Sequence, residues 1–299
     1  MQNNNVLITG GHGFLGSYLT PHLEKEGQIV KTLSRKKNSS LAFSWDIENH
    51  ELDPNVFNDI GTIIHLAGSG IAARRWTNTY KNEILNSRVN SANLLFDTLK
   101  SIKHNVRLLI SASAIGIYGD SGDTWVAEDF HVTENFLGET CRKWEEAALQ
   151  FEKIGIRVVI LRIGLVLGKK GGVLPSLALP IKLFAGTILG SGKQYMSWIH
   201  INDLCSMFSF AMTNEKMHGP YNAVAPGPVT QKEFIQKIAV QLHRPVWPIH
   251  IPSFVMKMIL GEKAAIVLEG QRVSSEKIRL AGFKYVHTDL NKVLSELLE

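Results

Sequence analysis

The chain has 299 residues, of which 44% are hydrophobic, and a formal net charge of +5. This length supports one large α/β domain, or one such domain with a smaller lobe. No apolar run reaches the roughly 18 residues of a membrane-spanning helix. The N-terminus, MQNNNVLITG, lacks the basic and apolar regions of a signal peptide. We therefore expect a cytoplasmic protein without a membrane partner.

The distribution of charged residues and cysteines argues against a nucleic-acid-binding protein and against a zinc protein. Basic residues are dispersed, and the one basic block is RKK at 35–37. This pattern favours a small anionic ligand over a nucleic acid. Cys141 and Cys205 lie far apart, and no Cys or His spacing is typical of zinc. We expect no metal site and a reducing compartment.

Short apolar strands alternate with helical patterns through the first half of the chain. The predicted strands are 5–9, 28–35, 62–68, 106–113 and 157–164, and the predicted helices are 14–27, 77–103 and 134–154. Strands in such an alternation form a parallel sheet with helices on both faces. The sequence thus predicts an α/β fold with a doubly wound parallel Rossmann sheet.

The amino-acid composition changes after Gly164, where glycine and proline become frequent. We predict a Rossmann domain over 1–165, completed by about 197–225. The remaining residues of 166–299 are expected to form a small C-terminal α+β substrate lobe. The segment 197–212 is predicted to be a strand and a helix that return to the first sheet.

The segment LITGGHGFLG carries two overlapping glycine patterns. Gly11, Gly13 and Gly16 fit G-x-G-x-x-G, and Gly10 with the latter two fits G-x-x-G-x-x-G. Between a strand and a helix, such glycines let the backbone approach a pyrophosphate, and the helix N-terminus offers free N–H groups. We predict a dinucleotide site whose first contacts are Gly10, Gly11, Gly13, Phe14, Leu15 and Gly16.

The end of the second strand predicts which dinucleotide binds. It reads Ser34-Arg35-Lys36-Lys37 and contains no acid to accept a hydrogen bond from a free ribose 2′-hydroxyl. Arg35 can bind a 2′-phosphate through paired donors, so NADP (as NADPH) is favoured over NAD. The alternative is a solvated basic turn.

Several motifs resemble the extended branch of the short-chain dehydrogenase/reductase superfamily, which includes sugar-nucleotide epimerases and dehydratases. They are TGGHGFLG, HLAG (65–68), SASAIGIYG (111–119) and WIHINDL (198–204). Within that branch the chain is most similar to an atypical epimerase-like group. The segments that carry this likeness are RRWTNTYKNEILNSRV (74–89), FLGETCRKWE (136–145), GSGKQYMSWIH (190–200) and EGQRVSSEKIRLAGF (269–283).

The resemblance implies further cofactor and substrate contacts. Asp46 and Ile47 would flank the adenine, and Leu66, Ala67 and Gly68 would line the central part of the cofactor. The strand 106–113 ends with Ser111 and Ser113 at the carboxyl edge of the sheet, where open α/β sheets bind ligands. By the resemblance, Ser111 would lie beside the cofactor and Ser113 would face the substrate. The resemblance also implies a possible homodimer through the helices at 77–103 and 134–154.

The acid/base pair of the superfamily is absent. The resemblance implies a tyrosine and, four residues later, a lysine that lowers the tyrosine pKa. Aligning the family pattern on Trp144 and Glu145 places Leu137 and Cys141 at these positions, and a shift of one residue does not restore the pair. Three accounts remain open.

In the first account, other residues transfer the proton. Tyr118, Ser113, Lys81 and Arg88 are the candidates, the last two because they lie on the core-facing stripe of a predicted helix. In the second, Cys141 reacts as a thiolate. In the third, chemistry is lost and the protein is a sensor of NADP(H) that acts through a partner.

The predicted substrate is small, and anionic or derived from a sugar. Arg74, Arg75 and Trp76 precede the helix and are expected to close over it, with Lys193 nearby. Many sugar-nucleotide enzymes place a diphosphate-binding arginine two residues before the aromatic residue of the WIHINDL-like motif. Met196 occupies that position here, which argues against a nucleoside-diphosphate sugar. The main hypothesis is an NADP-dependent oxidoreductase or epimerase-like enzyme.

Overall fold

A computed structural model of the chain describes residues 5–34 and 42–299. Arg35, Lys36 and Lys37, the predicted 2′-phosphate site, lie outside the described residues. The strands are β1 (Asn5–Thr9), β2 (Ile29–Ser34), β3 (Ala42–Asp46), β4 (Glu51–Leu52), β5 (Ile60–His65), β6 (Leu108–Ala114), β7 (Trp125–Val126), β8 (Arg157–Ile163), β9 (Leu165–Gly168), β10 (Gly171–Gly172), β11 (Ile188–Leu189), β12 (Tyr195–Met196), β13 (Trp198–His200), β14 (Gly219–Ala223), β15 (Val229–Thr230), β16 (His250–Ile251) and β17 (Arg272–Val273). The α-helices are α1 (Phe14–Lys25), α2 (Asn78–Ser101), α3 (Phe136–Leu149), α4 (Leu174–Lys182), α5 (Ile201–Thr213), α6 (Gln231–Gln241), α7 (Ser253–Leu260), α8 (Ala265–Leu268), α9 (Glu276–Leu280) and α10 (Leu290–Leu298).

The main sheet has the strand order β14-β8-β6-β5-β1-β2-β3-β4. Its strands pair in parallel from β14 to β3, and the short β4 pairs antiparallel with β3. Alternate residues of β1 point to opposite faces of the sheet, so that Val6 and Ile8 belong to one core and Leu7 to the other. The predicted α/β Rossmann fold is confirmed.

Helices cover both faces of the main sheet. On one face, Leu19 of α1 and Phe208 of α5 are completely buried against the β1 side chains Val6 and Ile8. On the other, Leu95 of α2 and Ala148 of α3 are buried with Leu7. Burial of apolar surface on both sides explains the nearly continuous hydrophobic runs of the central strands.

The elements after β8 depart in part from the prediction. The strand expected within 197–212 does not return to the main sheet, because β13 pairs with β9 in a separate three-stranded sheet. The helix of that segment, α5, does pack on the main sheet. The strand that completes the sheet is β14, which pairs with β8.

The C-terminal elements have a hydrophobic core of their own. One of their strands also pairs with a strand from the first half of the chain. Helices α4, α6 and α10 bury Leu174, Phe234 and Leu294 around Trp198 of β13. The last strand, β17, pairs in parallel with β7, which follows β6 in the chain. The segment before β17 contacts the N-terminus of α3, because Asn135 donates its side-chain N–H to Glu269. Within 5–34 and 42–299, no helix combines the length and apolarity required to cross a membrane.

Candidate functional site

The glycine loop is shaped by contacts that exclude side chains. Gly10 has a φ of +69°, and a Cβ atom there would lie 2.9 Å from the Leu66 carbonyl oxygen. A Cβ atom on Gly16 would lie 2.4 Å from the Gly11 carbonyl oxygen. Gly13 donates its N–H to the Gly10 carbonyl over 2.9 Å and is the N-cap residue of α1, where no described side chain caps the helix. The first-turn N–H groups of α1 therefore face the loop without a side-chain acceptor.

A cavity of about 710 Å³ opens at this loop. Seven of its lining residues were predicted as cofactor contacts, namely Gly10, Gly13, Ser34, Ile47, Leu66, Ala67 and Gly68. His12, Trp45, Ser69 and Ser87 line it as well and were missed. His12 lies inside the glycine motif and Trp45 directly precedes Asp46, so proximity in sequence was the signal available for both.

Other predicted cofactor residues are not among the described residues that line this cavity. Phe14 instead packs against Gly168 and Gly171, and the Asp46 carboxylate accepts the backbone N–H groups of Glu48 and Asn49. These bonds hold the pKa of Asp46 below its usual range. The remaining described residues of this set are Gly11, Leu15, Gly16 and Ser111. The two glycines shape the loop. The Ser111 side chain is buried at the end of β6.

A second cavity, of about 280 Å³, lies between the carboxyl end of the main sheet and the C-terminal elements. Most of its wall is apolar and is formed by residues such as Ile115, Leu137, Leu177, Met196 and Ile266. Both positions where the family pattern has its tyrosine and lysine, Leu137 and Cys141, line it. We call this space the apolar cavity. It has the location in which an open α/β sheet binds its substrate.

Arg88 lies between the two cavities. It lines the apolar cavity, while its guanidinium packs so closely on Gly68 that a Cβ atom there would lie 2.9 Å from its Cζ. Its Nη1 donates to the carbonyl oxygens of Ser69 and Ile84, and its Cζ lies 5.0 Å from the centre of the Trp144 ring. Burial lowers the pKa of Arg88, but an arginine remains charged at neutral pH. Arg88 is the sole cation among the described residues of the apolar cavity wall.

Cys141 is buried in the apolar cavity wall. Its thiol pKa is raised to about 11, first by burial and then by the neighbouring charge of Glu145. The thiol is thus protonated at neutral pH, and a reactive thiolate at this position is disfavoured.

Ser113 and Tyr118 belong to a buried hydrogen-bond network and are not among the described residues that line either cavity. Ser113 donates to Glu145 over 2.6 Å, and Arg162 makes a bidentate ion pair with the same carboxylate at 2.9 Å for both bonds. The Tyr118 hydroxyl donates to Asn222 over 2.6 Å and accepts from Arg162 over 3.0 Å. Burial raises the pKa of Tyr118 to about 12. The geometry argues against a proton-transfer role for either hydroxyl.

The remaining predicted catalytic residue, Lys81, and the four predicted substrate contacts lie outside the described wall of the apolar cavity. Lys81 forms an ion pair with Glu262, and Arg74 is mostly exposed and lies 3.7 Å from Glu83. Trp76 is buried in a cluster with Phe136, and its Nε1 donates to the Ile71 carbonyl. Arg75 lies beside Gly261, and Lys193 is exposed although its neighbour Gln194 lines the cavity. Of the loop before α2, Ile71 is the residue that reaches the cavity wall.

Two polar residues of this wall were missed by the sequence reasoning. Glu269 follows α8 and accepts a hydrogen bond from the Asn135 side chain over 3.2 Å. Burial, followed by the charge of Asp120, raises its pKa. Gln231 is 3% exposed, and neither its amide nitrogen nor its amide oxygen has a hydrogen-bond partner among the described residues. Both lie far in sequence from β6 and α3, so no local pattern connected them to the site.

His200, His287 and Glu296 form one cluster with atoms close enough to bind a metal ion. However, Nδ1 of His200 accepts the backbone N–H of Asn202 over 3.2 Å. The proton of the neutral ring then resides on Nε2, which leaves no lone pair for a metal. The Nδ1–H of His287 instead donates to Asp203, and the two rings stack at 3.8 Å. We assign the cluster a packing role.

The parallel sheet, the glycine loop and the cavity beside it define an NAD(P)-binding protein of the Rossmann class. Residues 6–224 match the model of the NAD dependent epimerase/dehydratase family, and residues 251–297 match a domain of unknown function (DUF1731). The chain belongs to the NAD dependent epimerase/dehydratase family. This confirms the resemblance to the epimerase-like extended short-chain dehydrogenases.

Similar proteins match nearly the whole length of this chain. The epimerase family protein YfhF of Bacillus subtilis is 37% identical over 98% of both chains. The human epimerase family protein SDR39U1 (isoform 2), crystallised with NADPH, is 30% identical with a TM-score of 0.87 over 98% of both chains. A nucleoside-diphosphate sugar epimerase from Corynebacterium glutamicum is 29% identical with a TM-score of 0.80, and the match covers 98% of this chain and 58% of that one.

Proposed function

We propose that the protein is an NADP-dependent oxidoreductase or epimerase-like enzyme whose substrate binds in the apolar cavity. The observation that carries this proposal is the adjacency of two cavities at the carboxyl edge of one sheet, separated by Arg88 and Gly68. We further propose the division into a Rossmann domain and a C-terminal substrate lobe, with one cavity at the glycine loop and the other between them.

The residues present at the glycine loop fit a dinucleotide. Gly10 and Gly13 leave room for a pyrophosphate, and the N–H groups of α1 can donate to it. A Cβ atom on Gly10 would collide with the Leu66 carbonyl oxygen and displace the backbone that lines this cavity. The apolar wall of Trp45 and Ile47 suits an adenine ring. The crystal structure of the human relative with NADPH, together with the sequence Ser34-Arg35-Lys36-Lys37, favours NADPH over NADH.

The test is a fluorescence titration of the purified protein with NADPH and with NADH. We expect the wild type to prefer NADPH, and Arg35→Ala to weaken NADPH binding by about 1.5–3 kcal/mol. Gly10→Ala should abolish binding of both cofactors. Its matched control is Gly27→Ala, which has a similar positive φ of +81° but no atom within 4 Å of the new Cβ. Equal binding by Gly10→Ala and Gly27→Ala would contradict the proposed site.

A second titration arm separates an enzyme from a cofactor sensor. An oxidoreductase oxidises bound NADPH when a carbonyl compound is added, and the NADPH absorbance falls. An epimerase causes no net change in absorbance, but it converts one epimer of a compound into the other, which NMR detects. A protein that binds NADPH and does neither with any compound of a broad panel would be a sensor.

A further inference from the structure

We propose that Glu269 is the acid–base residue of the apolar cavity and that the substrate is an uncharged, largely apolar carbonyl or alcohol compound. This inference rests on the proposed function and deepens it. It assigns the proton transfer to Glu269, because Leu137 and Cys141, which stand at the tyrosine and lysine positions of the family pattern, have no group suited to it.

The position of Glu269 supports the first half of the proposal. It lines the apolar cavity together with Leu137 and Cys141, and its Oε2 accepts from the side chain of Asn135. Asn135 is the N-cap of α3, two residues before Leu137. Glu269 is therefore held beside the helical turn in which the family pattern has its tyrosine. It is also the one acidic residue among the described residues of this wall.

The surroundings of the carboxyl group favour its protonated form, which can donate a proton. Glu269 is half-buried, and burial and the charge of Asp120 raise its pKa, while Asn135 and Lys257 act in the opposite direction. Among the described residues of the cavity wall, Arg88 is the other charged one. A carboxyl group with a raised pKa can hold a proton for donation and take it back in the reverse reaction.

The wall of the cavity supports the second half of the proposal. Met196, which occupies the position of the diphosphate-binding arginine in many sugar-nucleotide enzymes, is 8% exposed and lines the apolar cavity. Arg88 is committed to two backbone carbonyls and to Trp144. A diphosphate would thus lose its hydration without gaining cationic partners, which is costly. The amide of Gln231, which has no partner among the described residues, offers the two N–H donors of its nitrogen and its carbonyl acceptor to a small neutral polar group.

The chemical step balances with these groups. When bound, NADPH would supply the hydride, and with it the two electrons of the new C–H bond at the carbonyl carbon, and would become NADP⁺. The π electrons of the C=O bond move to the oxygen, and Glu269 donates its proton there to give the alcohol. The resulting Glu269 carboxylate takes a proton from solvent, and the reverse sequence describes alcohol oxidation.

The experiment uses acetophenone as an uncharged probe and acetylbenzoate as its carboxylated counterpart. The variants are Glu269→Gln and, as a matched control, Glu276→Gln, an exposed residue of the same C-terminal segment. Binding of each probe to the NADPH complex is measured by saturation-transfer NMR across pH, and turnover by NADPH absorbance. NADPH affinity is measured separately for each variant.

We expect acetophenone to bind more tightly than acetylbenzoate. Its binding to the wild type should weaken as the pH rises through the raised pKa of Glu269, because the carboxylate can no longer donate to the carbonyl oxygen. In Glu269→Gln this pH dependence should vanish and turnover should fall by roughly 10²–10⁴-fold, with NADPH affinity unchanged. Glu276→Gln should resemble the wild type.

Three results would overturn the inference. Unchanged turnover and pH dependence in Glu269→Gln would remove the acid–base role. Preference for acetylbenzoate, or no binding of acetophenone by a protein that binds NADPH, would remove the substrate class while leaving the proposed cofactor site intact. Failure of the wild type to bind NADPH would instead overturn the proposed function itself.

Discussion

At the scale of single residues, the buried network around Arg162 shows how tertiary contacts redefine a sequence motif. Ser113 and Tyr118 stand in SASAIGIYG, where the family resemblance implied that Ser113 faces the substrate and where Tyr118 was a candidate for proton transfer. In the fold their hydroxyls complete the hydrogen bonding of a buried ion pair between Arg162 and Glu145. Such a pair requires every polar neighbour to be satisfied, because an unpaired buried charge is strongly destabilising.

Replacing Tyr118 by Phe tests this structural role. The change leaves Asn222 and Arg162 each with one lost partner in a buried environment, and we expect the free energy of unfolding to fall by about 1–3 kcal/mol. NADPH affinity and, once a substrate is known, turnover of the folded protein should persist. Urea denaturation measures the first quantity and fluorescence titration the second. Loss of turnover at unchanged stability would restore Tyr118 as a proton donor.

At the scale of elements, the loop before α2 and the segment from α7 to α8 hold one another in place. Lys81 of α2 pairs with Glu262, and Lys263 donates to the Ala72 carbonyl over 2.8 Å. Between these bonds, Trp76, Tyr80 and Ile266 pack in a common apolar cluster. Arg75 and Trp76, two of the residues predicted to close over a substrate, thus contact the C-terminal elements that form the opposite wall of the apolar cavity.

This arrangement gives Lys81 a positioning role that can be measured. The Glu262 side chain is 64% exposed, so Lys81→Ala should lower the free energy of unfolding by no more than about 1 kcal/mol. Limited proteolysis within 253–268 should nevertheless become faster, because this segment is held less firmly. Lys100→Ala, at an exposed position in the last turn of the same helix, is the control. A loss of turnover with an unchanged proteolysis pattern would instead indicate a catalytic Lys81.

At the scale of the whole molecule, buried histidines couple stability to pH. His200 lies where β13 meets α5, and burial and the neighbouring His287 lower its pKa to about 4, against the opposing effects of Glu296 and Asp203. His65 is buried on β5, and burial and the charge of Arg88 lower its pKa to about 3. The folded protein therefore keeps both rings neutral at a pH where the unfolded chain binds protons.

The sign of the effect follows from this difference. Above the pKa of histidine in the unfolded chain, about 6.5, the neutral His200 ring makes its full contribution to the free energy of unfolding. This contribution is lost as the pH falls toward the pKa of His200 in the folded protein, about 4. In His200→Asn the free energy of unfolding should depend less on pH, since asparagine can still cap α5 but does not titrate. Urea midpoints at pH 7 and pH 5 measure it, with His218→Asn, an exposed histidine, as control. An equal pH dependence in wild type and His200→Asn would contradict the assignment.

The sequence by itself determined the features that depend on local chemistry. Alternating strands and helices, the glycine pattern after β1 and the missing tyrosine and lysine were all readable, because backbone geometry and side-chain periodicity are properties of short segments. Strand β3, which lies between β2 and the edge strand β4, was not predicted, since polar residues such as Ser44 and Asp46 obscure its apolar pattern.

Only the tertiary structure decided which distant groups meet. It brought Glu269 and Gln231, more than eighty residues beyond α3, into one cavity with Leu137 and Cys141, and it assigned Ser113 and Tyr118 to the interior. It also paired β13 with β9 rather than with the main sheet. The physical reason is that burial and long-range contact depend on how separate elements pack, and no short segment of sequence specifies the partner that packing will bring to it.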